Sequence, residues 1–80
     1  MANVDVHNDV FRKMGSDWEL HFQYCDYIYD DGSQSSGYRF IWKRPDGTFQ
    51  PARGQARIPS IDIALGLITE AMSEGWGDYR

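Results

Sequence analysis

Large apolar and polar residues alternate over residues 17–29. Trp18, Leu20, Phe22 and Tyr24 occupy even positions, and Glu19, His21, Gln23 and Cys25 the odd ones. A period of two marks a strand with one buried face. Ile28 keeps the even register and Asp26 interrupts it, so either the strand is exposed there or a bulge near Asp26 shifts the phase. Residues 38–44 repeat the pattern, with Tyr38, Phe40 and Trp42 against Arg39, Ile41 and Lys43. Shared parity predicts that the two strands pair with Phe22 and Phe40 on one face. The polar run from Asp30 to Gly37 reads as a flexible surface connection. Pro45-Asp46-Gly47 is a turn signal, because proline pre-sets φ and glycine supplies the positive φ that follows. Thr48, Phe49 and Gln50 begin a third strand, kept short or at an edge by Pro51, which has no N–H to donate.

The periodicity changes after Ser60. Ile61, Ala64, Leu65, Ile68 and Met72 form one helical stripe flanked by Leu67 and Ala71, with Leu65 and Ile68 at its centre. Ser60 suits the N-cap, Asp62 complements the helix dipole, and Gly75 fits the position after the last turn, with Trp76 folding back. At the other end of the chain two periods compete. Val6, Val10 and Met14 recur every four residues, as in a short helix stopped by Gly15, whereas Val4 and Val6 alternate with Asp5 and His7, as in a strand. The helix is the preferred reading. The chain is thus expected to be one α+β domain spanning residues 1–80: a three-stranded antiparallel sheet with a C-terminal helix packed on one face and a short N-terminal helix.

That order, helix–strand–strand–strand–helix, resembles the double-stranded RNA-binding domain over residues 5–75. The resemblance implies phosphate binding by lysines at the start of the last helix. Here the corresponding stretch, Ser60 to Leu65, has no lysine and carries Asp62. The run Gly37 to Lys43 shares a Gly, a Tyr and a Phe with the strand motif of the RNA recognition motif family. Ser36, Arg39 and Lys43 replace its basic, small and aromatic positions.

Size and charge narrow the function. A chain of 80 residues buries little surface and is marginally stable alone, so a homodimer would add burial. The single cysteine rules out an internal disulfide and fits a reducing, cytoplasmic compartment. No run is apolar enough to span a bilayer, and the first residues carry Asp5 and Asp9 where a signal peptide needs a basic start. The net charge of −4 argues against nucleic-acid binding by the whole chain, but Arg39, Lys43, Arg44, Arg53 and Arg57 cluster around a single acid, Asp46.

Candidate chemistry is sparse. Cys25 lies about 13 Å along a strand from His21, too far for a nucleophile–base pair, although His7 could approach from the N-terminal segment. Asp26, Asp30 and Asp31 suggest calcium, but with Gly32 at the sixth position of such a loop, Tyr27 and Tyr29 stand where acids belong. No cofactor, metal or catalytic residue is expected. The odd strand face collects Tyr27, Tyr29, Arg39, Ile41 and Lys43, an apolar centre with a basic and aromatic rim. It is expected to bind a protein partner, one with acidic groups being the best match. Nucleic acid is the second choice, and Arg44, Arg53 and Arg57 form a secondary basic patch.

Overall fold

The computed structural model describes residues 3–50 and 56–76. Strands β1 (Asn3–Lys13), β2 (Glu19–Ile28) and β3 (Gln34–Lys43) are followed by helix α1 (Ile61–Ser73). They form a three-stranded antiparallel sheet in the order β1-β2-β3, with α1 on one face. The expected architecture is therefore observed, but its third strand comes from the N-terminus. Residues 48–50 contribute only an isolated bridge between Lys43 and Phe49.

The expected N-terminal helix is a strand, and a bulge explains the misleading period. β1 pairs Val6 with Cys25 and then Asn8 with Tyr24, which leaves His7 as an extra residue. Its parity flips there. Val4 and Val6 face away from the helix, while Val10 faces it and is buried. In a straight strand these three valines would share a face. The bulge lies on β1, opposite Tyr24 and Cys25, and not within β2 itself, since β2 pairs with β3 without a break from Glu19–Lys43 to Ile28–Gln34. The resemblance to the double-stranded RNA-binding domain fails with the helix: the described order is strand–strand–strand–helix.

The β2–β3 register matches the parity expected from the sequence, with Phe22 opposite Phe40 and Leu20 opposite Trp42. β3 begins at Gln34, so the polar connection is reduced to a tight turn. Gly32, at φ 87°, donates its N–H to Tyr29, and the Tyr29 N–H reaches the Ser33 carbonyl. The β1–β2 turn places Ser16 and Asp17 at φ 61° and 65°, a region that such short polar residues tolerate.

Both ends of α1 follow their capping signals. The Ser60 hydroxyl accepts from the Ile63 N–H at 3.1 Å. At the other end Gly75 adopts φ 91°, the Gly75 N–H reaches Met72 O and the Trp76 N–H reaches Ala71 O, the double bond of a Schellman cap. Trp76 folds back to stack on Phe22, with ring centroids 5.8 Å apart.

The helix faces the sheet with a different row from the one its stripe suggests. Val10, Leu20, Phe22, Leu67 and Ala71 form the core, with Ile63 and Ile68 packed beside them. Leu65 is 58% exposed and Ile68 half-buried. Both arcs of the helix are apolar, and the one carrying Ala71 seats on the sheet, where a small side chain permits close approach. On the neighbouring flank of the helix, a Cβ added at Gly66 would meet the Arg12 guanidinium at 3.3 Å. Leu67→Ala is therefore expected to cost about 2–5 kcal/mol and Leu65→Ala less than about 1 kcal/mol. Urea unfolding of the two variants checks the order, and equal losses would contradict this seating.

Candidate interaction face

The strand register assigns the outer face of the sheet, away from α1. It collects Val4, Val6, Asp9, Phe11 and Lys13 from β1, the odd residues 19–27 from β2, and Arg39, Ile41 and Lys43 from β3. No helix covers this face among the described residues, yet its centre is closed. His21, Gln23, Cys25 and Ile41 are all at most 5% exposed. Long side chains at the rim lie across them.

At one end His21 is enclosed. Phe11 stacks on its ring at 4.9 Å and Phe49 meets it edge-on at 5.1 Å. Asp9 approaches Nδ1 at 2.8 Å, and Glu19 approaches Nε2 at 2.8 Å. Both ring nitrogens thus face a carboxylate oxygen within hydrogen-bond distance. The Lys43 ammonium lies 5.8 Å from the Phe49 ring centroid, a cation–π contact on the outside of this cluster. Phe49 thus has a role that its single bridge does not suggest: it roofs a buried histidine.

At the centre the Gln23 carbonyl oxygen accepts from Arg39 Nε at 2.9 Å and lies 3.9 Å from the Cys25 thiol. Burial pushes the Cys25 thiol up, only partly offset by the Arg39 charge. A thiol held protonated is a poor nucleophile. His7 cannot serve as its base, because from the bulge it bonds Asp26 at 2.7 Å, on the opposite face. Among the described residues no group of three His, Cys, Asp or Glu side chains could hold a metal ion, and no helix is long and apolar enough to cross a membrane.

The residues singled out in the sequence are only partly brought together as expected. Ile41 is buried and cannot be an exposed apolar centre. Tyr27, Arg39 and Lys43 are half-buried on the outer face. Tyr29 is 43% exposed, with its hydroxyl 3.1 Å from the Ser35 hydroxyl. The apolar surface comes instead from residues the sequence reading passed over: Val4, Val6, Phe11 and Phe49, each 38–49% exposed. The alternation of Val4 and Val6 with Asp5 and His7 was the signal that could have found two of them. The secondary patch lies partly outside the described residues. Arg44 is engaged in its own turn, donating to the Thr48 hydroxyl at 3.1 Å, Arg57 is exposed, and Arg53 lies outside the described residues.

No family model, curated protein or solved structure matches the chain.

Two predictions follow from the electrostatics. Removing His21 leaves Asp9 and Glu19 facing each other across an apolar gap, so His21→Phe should destabilise by about 2–3 kcal/mol. Adding Asp9→Asn and Glu19→Gln should recover part of that loss in urea unfolding. Failure of any recovery would show that the carboxylates are not the cause. On the inner face, the Ser36 hydroxyl at 2.6 Å and then His7 hold the Asp26 carboxyl below its usual range. A depressed folded value means that the stabilisation is complete above the unfolded aspartate value, about pH 4, and lost as pH falls through the folded one. The melting temperature of Asp26→Asn should therefore fall less steeply between about pH 5 and 2 than that of the wild type. Parallel curves would remove Asp26 from the acid transition.

Proposed function

We propose that this protein is a non-catalytic binding domain that engages another protein through the outer sheet face. The observation carrying this reading is the ring of exposed Val4, Val6, Phe11, Tyr29 and Phe49 around a closed, hydrogen-bonded centre. A rigid floor with apolar and aromatic groups standing on it suits recognition without large ordering losses. The acids of this face, Asp9 and Glu19, point onto His21, while Lys43 caps Phe49 from outside. Lys13, Arg39 and Lys43 thus leave the face basic toward a partner, and a protein presenting acidic side chains around an apolar group is the best match.

Catalysis has little support, since the Cys25 thiol is buried and both His21 nitrogens are occupied. The buried lone thiol suits a cytoplasmic protein. Nucleic acid remains the second reading, carried by the basic and aromatic rim. The carboxylates within the same face weigh against it.

The test is capture with the full chain. A protein retained by the wild type, and lost with Tyr29→Ala plus Lys43→Glu while the far-UV spectrum is unchanged, is the expected result. Capture that disappears on nuclease treatment would favour nucleic acid. Undiminished capture by the folded double variant would exclude this face.

A further inference from the structure

A second apolar surface lies on the far side of the molecule, independent of the sheet face. Ile61, Leu65 and Met72 are 83%, 58% and 68% exposed, and Ile58, just before the N-cap, is 41% exposed. Half-buried Ile68 completes the row. Only Ile68 of this row also packs beside the core, which otherwise takes Ile63, Leu67 and Ala71 from the helix. An apolar row this exposed is unusual on a lone small domain.

The spacing identifies what it fits. Within α1, positions 61, 65, 68 and 72 step by four, three and four, the 3.5-residue seam by which one helix packs on another, and Ile58 lies just ahead of it. We propose that this seam joins two copies of the chain, with their α1 helices packed antiparallel about a two-fold axis between Leu65 and Ile68.

Three observations favour a second copy over a different helix. The first is symmetry. The order of steps from 61 to 72 reads the same in both directions about that axis. An antiparallel copy sets Ile61 level with Met72 of the second copy, and Leu65 level with its Ile68, so the seam complements itself. The second is charge. The acids of α1 are Asp62 and Glu70, with Glu74 at its C-cap. In this register they fall level with Ala71, Ile63 and Pro59 of the second copy, so no acid meets an acid. The antiparallel helix dipoles are complementary as well.

The third is shape. One apolar hollow of about 270 Å³, lined by Phe22, Tyr38, Ile68, Ala71, Met72 and Trp76, opens beside the C-terminal half of the row. Another, of about 510 Å³, is lined by Ile58, Ile61, Ala64, Leu65 and Ile68 at the N-terminal half. The two-fold axis brings Ile61 of one copy to the first hollow and Met72 to the second, knobs into holes.

The full chain should sediment as a concentration-dependent dimer in analytical ultracentrifugation. Leu65→Glu, and separately Met72→Glu, should weaken the dimer by about 30-fold or more, the loss expected at a central interface position. Far-UV spectrum and sheet-face capture should be unchanged, because neither side chain is buried in the core. Mixed oxidation of Ile61→Cys with Met72→Cys chains should give a cross-linked heterodimer in preference to either homodimer. A wild type that stays monomeric at all concentrations would overturn the proposal. So would a dimer unaffected by both glutamate variants, or Ile61→Cys chains that link chiefly to themselves.

Discussion

The whole structure depends on β2 being buried on both faces although, among the described residues, only one of them has a helix over it. Leu20 and Phe22 meet α1, and His21, Gln23 and Cys25 point the other way. All five are at most 8% exposed. The described residues put no further layer over the other face to account for its burial. That burial comes from rim residues lying inward: Phe11 from β1, Phe49 from beyond β3, and Arg39 bonded to Gln23. The polar groups so buried are all satisfied, since the described residues include no buried side-chain nitrogen or oxygen without a partner. That condition makes a buried histidine tolerable.

The bulge at His7 serves the same end. It sends Val10 inward to the core and Asp9 and Phe11 outward to His21, within three consecutive residues. It also leaves Val4 and Val6 outside, which gives the outer face its exposed apolar ring. One extra residue thus sets both the composition of the core and the character of the candidate surface. The same device blunts an edge strand, because a break in pairing geometry discourages continuous addition of further strands.

What the sequence made legible was local. The parity of β2 and β3, the Ser60 cap and the Gly75 stop rest on the alternation of neighbours or on one residue's conformational preference, and the structure has them as expected. Two misreadings came from patterns with more than one solution. Val6, Val10 and Met14 repeat every four residues whether they wind a helix or straddle a bulge. α1 carries two apolar rows, so periodicity alone could not tell Leu67 from Leu65 as the core residue. The exposure of Ile41 was misjudged for a different reason. Its burial depends on roofing side chains that alternation along its own strand does not register.

The two apolar rows of α1 also separate stability from association. Ile63, Leu67 and Ala71, with Ile68 at their margin, hold the helix to the sheet, and Ile58, Ile61, Leu65 and Met72 are left over. A helix needed only for folding gains nothing from the second row, and exposed Ile, Leu and Met invite non-specific contact. The outer sheet face differs from it in kind. There the apolar side chains are interspersed with Lys13, Arg39 and Lys43 over a hydrogen-bonded floor, a mixture suited to selective and reversible contact. The helix seam is almost purely aliphatic and regularly spaced, which suits a more permanent partner of matching geometry. A domain with one surface of each kind can associate through the helix while leaving the sheet of each copy open.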